Sequence, residues 1–144
     1  MLERHEIREL MIRTDKARKR ILQPEFSEIG LTLGTGQPRI LDCLLLEDGI
    51  TQRELANRSN MDVTTLSRAL DRMEEAGLLN RERDPGCRRS FLILLTPAGR
   101  EKAEKVHGYF SRLDDRIWEG FTEEEMEGFY QKLLKIYKNL ESSG

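Results

Sequence analysis

Apolar residues recur at helical spacing over most of this chain and at strand spacing in one short stretch. Residues 4–22 carry Ile7, Leu10, Met11, Ala17, Ile21 and Leu22 between charged side chains, the stripe of an amphipathic helix. A second helix is predicted over 38–46. Pro38 suits a first helical turn, where its missing N–H would have no partner, and the LTLGTG stretch before it reads as loop. Glu47-Asp48-Gly49 ends that helix. Thr51, with Glu54 three residues on, reads as a capping box, and the turn-rich run 57–60 keeps the next helix short. Asp62 is the following N-cap candidate. Behind it, Val63, Leu66, Leu70 and Met73, with Ala69 and Ala76 alongside, form a face predicted to point inward; Gly77 closes the helix.

The period then changes. Residues 78–83 and 90–95 read as strands around an Asp84-Pro85-Gly86-Cys87 turn. Thr96-Pro97 opens a further helix with the stripe Val106, Phe110, Leu113 and Ile117. Thr122 and Glu125 form a second capping box before a last helix bearing Met126, Phe129, Tyr130, Leu133, Leu134, Tyr137 and Leu140. Residues 141–144 read as frayed. The predicted fold class is mainly α with a small β-hairpin wing: a winged helix-turn-helix with N- and C-terminal dimerisation helices. Residues 35–96 would form the DNA-binding part, and 1–34 with 97–144 the dimerisation region.

Dimerisation is predicted from burial. A chain of 144 residues has little core with which to cover wide apolar stripes near both ends. A second copy, related by a two-fold axis, would cover them. Ile7, Leu10, Met11, Phe110, Leu113, Ile117, Phe129, Leu133 and Leu140 are the expected contact residues. The other reading is a monomer that folds both ends onto one core.

Charge sharpens the picture. The net charge of −2 alone argues weakly against nucleic acid, but it is unevenly spread. Residues 1–50 carry −1, residues 51–100 carry +2 and residues 101–144 carry −3. Every basic side chain in the positive segment is arginine, the residue suited to bidentate contact with guanine and phosphate. The longest apolar run is 91–95, too short for a membrane span, and the charged N-terminus lacks a signal peptide's apolar core. A cytoplasmic location is expected, with no membrane partner. The two cysteines and two histidines lack zinc-site spacing, so no metal or other cofactor is expected. Cys43 reads as a buried small hydrophobe.

In a helix-turn-helix the first turns of the second helix meet base edges. Thr64, Thr65, Ser67, Arg68 and Arg72 are the candidates there. Arg68 is the best candidate for a base and Arg72 for a phosphate, although Asp71, Glu74 and Glu75 stand close enough to occupy Arg72. Arg88 and Arg89 sit beside the hairpin turn, where a guanidinium can enter a minor groove. Arg81 and Arg83 would supply phosphate contacts or intramolecular pairs, and Gln52 with its helix start would grip phosphate. The competing reading of all these positions is an ordinary solvated surface.

The residues LT…GQPRIL (31–41), ITQRELA (50–56), DVTTLSRALDRMEEAGLLNR (62–81) and RRSFLILLTPAG (88–99), in this order and spacing, resemble the MarR family of winged-helix transcriptional regulators. The resemblance implies a homodimer, usually a repressor, on a pseudo-palindromic operator of double-stranded DNA. It places the helix 62–76 in the major groove and Arg89 in the minor groove. It also implies release by a small aromatic or phenolic effector, or by thiol oxidation. The effector cleft would lie between the reading domain and the dimerisation helices, with His5, Arg13, Tyr109 and Phe110 as candidates by position. The family's wing often reads Asp-x-Arg; here Cys87 stands at the Asp position, so the Asp–Arg brace is in doubt, with Asp84 as a substitute. An exposed Cys87 thiol would have a lowered pKa and could sense oxidants. The competing reading is an incidental turn cysteine, since oxidant-sensing members usually keep theirs near the N-terminus.

Two other classes compete with this reading. An enzyme is not expected: His5 and His107 lack catalytic neighbours at telling spacing, and Gly34-Thr35-Gly36 is followed by Arg39 where a dinucleotide loop needs its third glycine. A winged helix that binds protein instead of DNA is left open by the acidic total.

Overall fold

The computed structural model describes residues 1–142. The elements are α1 (Arg4–Glu28), α2 (Gln37–Leu46), β1 (Ile50–Thr51), α3 (Gln52–Ser59), α4 (Val63–Glu75), β2 (Leu79–Asp84), β3 (Cys87–Leu95), α5 (Pro97–Ile117) and α6 (Glu123–Glu141). The expected fraying at 141–144 falls partly outside the described residues; Glu141 ends α6 and Ser142 caps it. The chain forms two compact units that meet within α5, the first ending at Leu113.

In the first unit one core gathers Leu22 and Phe26 from α1, Ile40, Leu41 and Leu44 from α2, and Leu55 from α3. Leu66, Leu70 and Met73 of α4 join it, with Leu79, Ile93, Ala103 and Val106. This core draws on both sides of positions 34 and 96, where the domain reading placed its divisions. Two buried α1 residues explain a further difference. The helix was predicted to end at Leu22 but continues past Pro24 to Glu28. An interior proline costs a helix ~3 kcal/mol. Here that cost is offset by burying Leu22 and by Phe26, whose ring meets Phe110 at 5.5 Å and Tyr109 at 5.9 Å.

The sheet has three strands, not two, in the order β1-β3-β2, all antiparallel. β1 escaped prediction because two residues show no alternation; Ile50 faces Ile93 and Thr51 faces Leu92. β3 starts at Cys87 rather than at residue 90. Between the Arg83–Phe91 and Asp84–Cys87 pairs, β3 carries Arg88, Arg89 and Ser90 with no counterpart on β2. That bulge is the base of the wing. Asp48, just after α2, ties the frame together: its Oδ1 accepts from the Leu95 amide at 2.9 Å and its Oδ2 from Arg100 at 3.1 Å.

Two expected interface residues belong to this unit's own packing. Leu113 is buried in the core and Phe110 packs edge-on against Phe26, so Leu113 offers no face to a partner. Ile7, Leu10 and Met11 are exposed.

In the second unit Thr122 and Glu125 make the predicted capping box. Trp118 meets Phe121 and Phe129 edge-on, with ring centroids 5.4 and 5.6 Å apart. α6 has no buried residue, and Phe129, Tyr130, Leu133, Ile136, Tyr137 and Leu140 are all exposed.

Candidate nucleic-acid interface

α3 begins at Thr51, whose Oγ1 accepts from the Glu54 amide at 3.1 Å. Only this half of the expected capping box forms. The Glu54 carboxylate turns instead to Arg58, at 2.8 Å. The chain leaves α3 through Asn60, left-handed at φ 55°, and enters α4 through Asp62. Asp62 accepts twice from Thr65, from its amide and from its hydroxyl, both at 2.8 Å. The amide bond first, then the hydroxyl, holds the Asp62 carboxyl below its ordinary value. The Thr65 hydroxyl proton is therefore committed, leaving that oxygen as an acceptor.

Along α4, Leu66, Ala69, Leu70 and Met73 are buried, while Thr64, Thr65, Arg68 and Arg72 are exposed and Ser67 is half-buried. Val63 departs from its predicted inward position: it is 64% exposed. Helical spacing aligns it with Leu66 and Leu70, but the core ends before the first turn does. Ala76 is exposed too.

The acids near Arg72 do not hold it. Arg81 of β2 takes Asp71 and, at 3.1 Å, Glu74, and its pKa is raised chiefly by the Asp71 bond. The wing is braced without an Asp–Arg pair. Asp84 accepts from the Gly86 amide at 2.9 Å, inside the turn. The brace is Arg83, which donates to the Arg88 carbonyl at 2.9 Å and lies 5.7 Å from the Phe91 ring centre. Cys87 is exposed; the Arg89 amide, then the Ser90 hydroxyl, hold its thiol below the ordinary value. Cys43, half-buried, is pushed up by burial.

This sorts the arginines of residues 51–100. Arg58, Arg81, Arg83 and Arg100 bond within the chain. Arg53, Arg68, Arg72, Arg88 and Arg89 are exposed, and among the described residues their side chains make no hydrogen bond or ion pair. All five stand on α3, α4 or the wing.

Two depressions group the predicted residues. One brings Thr65, Arg68 and Arg72 beside Gly34 and Thr35. The other, of ≈ 410 Å³, brings Gln52 of α3 and Arg89 of the wing together around Val63. Thr64, Ser67 and Arg88 border neither. A third cleft, of ≈ 470 Å³, lies between α2 and the start of α4 and is lined by Pro38, Arg39, Met61, Asp62, Thr65 and Phe110, among others. Of the four positions predicted for an effector cleft, only Phe110 lines it. Tyr109 packs on Phe26, and His5 and Arg13 are exposed on α1. Sequence reasoning missed the exposure of Val63 and, while allowing intramolecular pairs for Arg81 and Arg83, did not name their partners. Each depends on where a distant element ends, for which no local signal exists.

Two antiparallel strands behind a capped second helix, with unbonded arginines on both, define a winged helix-turn-helix protein. The MarR family model matches residues 35–91. The repressor YetL of Bacillus subtilis is 30% identical over 116 residues, 77% of this chain and 68% of that protein. The regulator BilQ of Clostridium symbiosum is 30% identical over 94 residues, and the match spans 65% of each protein, just under two thirds of the relative. A MarR-family transcriptional regulator of Silicibacter pomeroyi has a solved structure that is 33% identical, with a TM-score of 0.72 over 90% of this chain and 86% of that one. A MarR-family regulator of Listeria monocytogenes, solved with a 26mer DNA, is 25% identical with a TM-score of 0.79 over 97% and 90%. The chain belongs to the MarR family of transcriptional regulators. Among the described residues, no helix is long and apolar enough to cross a membrane.

Proposed function

We propose that this protein is a transcriptional repressor that binds double-stranded DNA as a homodimer, at a pseudo-palindromic operator, in the cytoplasm. α4 enters the major groove, with Thr64, Thr65, Ser67 and Arg68 at base edges and Arg72 on phosphate. The wing lays Arg89 in the minor groove and Arg88 beside it, and Gln52 grips the backbone. Residues 35–96 read DNA, and exposed apolar positions on either side of them bring two copies together.

One observation carries this reading: within residues 51–100, the five exposed arginines whose side chains make no hydrogen bond or ion pair among the described residues stand on α3, α4 and the wing. A guanidinium kept out of ion pairs is ready for an external anion. The named relatives agree: YetL is a repressor, and the Listeria regulator was solved with DNA. The test is binding to random duplex across a salt series. Affinity should fall steeply, with log K linear in log salt and a slope set by the phosphates contacted. Flat or absent binding at low salt would favour a protein-binding winged helix instead.

Release by a small aromatic or phenolic effector is supported by the cleft beside α2. Its walls pair the Phe110 ring and Arg39 with Asp62 and Thr65, the capping pair of the reading helix. An occupant there acts directly on the start of α4. A second reading, release by oxidation, is favoured by the exposed Cys87 with its lowered thiol pKa. Peroxide would convert its thiolate to sulfenic acid with loss of hydroxide. Release of the wild type but not of Cys87→Ser by peroxide would support it; equal release of both would remove it.

A further inference from the structure

Val63 is an apolar, β-branched side chain left 64% exposed at the first position of α4, while the other large apolar residues of that helix are fully buried. It lies in the cleft shared by Gln52 and Arg53 of α3 and by Arg89, Ser90 and Phe91 of the wing. Its neighbours thus include two arginines, on two different elements, whose side chains make no hydrogen bond or ion pair among the described residues. Those cations suit nucleic acid; Val63, in the same cleft, has nothing to offer a phosphate. It neither donates nor accepts a hydrogen bond, and in a helix its χ1 is nearly fixed, so its methyls are held in place before any partner arrives. Along the major groove, the one apolar group that distinguishes a base edge is the C5-methyl of thymine.

We infer that Val63 is a specificity-determining residue that selects thymine at one position of each half-site by packing on its 5-methyl group. This rests on the DNA-binding reading, and the test separates the two. The full-length protein first selects its preferred duplex from a random pool. Each thymine of a half-site is then replaced, one at a time, by deoxyuridine, which pairs identically but lacks the methyl. Wild type should lose about fourfold at one position, the equivalent of one buried methyl group. Val63→Ala should bind the thymine and deoxyuridine duplexes equally at that position, with an unchanged melting temperature because the side chain is exposed. If no replacement weakens the wild type, or if Val63→Ala keeps the discrimination, the assignment to Val63 is overturned while DNA binding stands. If the pool yields no enriched duplex, the DNA-binding reading fails and the inference fails with it.

Discussion

Arginines in this chain divide by what holds them, and the division is measurable at single residues. The Arg89 side chain makes no hydrogen bond or ion pair among the described residues, so Arg89→Ala should leave the melting temperature unchanged and weaken operator binding by about 1–3 kcal/mol, the range for a lost specific contact. Arg81→Ala should do the reverse, because it leaves Asp71 and Glu74 facing each other without a cation. Band shifts and thermal melts on the two variants check this, and a destabilised Arg89→Ala with intact affinity would reverse the assignment. Asp62 gives a pH prediction. Its folded pKa lies below the ordinary 3.8, so the folded chain binds that proton less readily than the unfolded one. The cap's contribution is full above the ordinary value and is lost as pH falls through the lower folded value. Asp62→Asn keeps a capping oxygen without the charge. Wild type should melt higher than the variant at about pH 7, and the gap should close below about pH 4. A gap constant across that range would show that the charge is not what the cap uses. Thr51, Asp62 and Thr122 were legible as caps because a cap acts within three residues. Val63 was not, because spacing alone cannot say where the core stops.

At the scale of elements, apolar period and cap signals together located the helices, and the errors fell where distant packing overrides local preference. α1 survives Pro24 because Phe26 is buried against α5, a contact some eighty residues away in sequence. β1 exists because β3 offers it a partner. The junction after the wing shows how tightly one element can seat on another. Thr96 donates through its hydroxyl to the Gly77 carbonyl at 2.6 Å and through its amide to the Leu78 carbonyl at 3.1 Å. The first turn of α5 is thereby drawn onto that backbone, and a Cβ at Gly99 would stand 1.8 Å from the Leu78 oxygen. Gly99→Ala should lower the urea midpoint by the equivalent of at least ~1–3 kcal/mol, since backbone must move. Gly108, further along the same helix, meets only the flexible end of Arg112 at 3.6 Å. Gly108→Ala should stabilise by ~0.5–1 kcal/mol, because alanine is the better helix former. Equal effects from the two variants would mean that close approach at Leu78 is not the constraint.

For the molecule as a whole, the exposed apolar side chains decide the expected state. Ile7, Leu10 and Met11 in one unit and Phe129, Leu133, Ile136 and Leu140 in the other are between 45% and 72% exposed. Two copies burying all of them would gain on the order of 10–20 kcal/mol, allowing for the part already covered. Association costs ~4–15 kcal/mol, so the balance favours a dimer without guaranteeing a tight one. The sequence carried this expectation as a burial problem, but it could not tell that Leu113 is consumed by the chain's own core; the stripe of α5 looks the same from either side. The double variant Phe129→Asp, Leu133→Asp tests the idea without touching that core, because both positions are exposed. Sedimentation should give twice the chain mass for wild type and a single chain for the variant, with helical content retained. A monomer presents one reading helix and one wing, so its salt slope on operator duplex should fall to about half, following the phosphates contacted. A variant that still sediments as a dimer would move the interface away from α6. A wild type that stays single with duplex present would remove the two-fold arrangement, and with it the reason to expect a palindromic site.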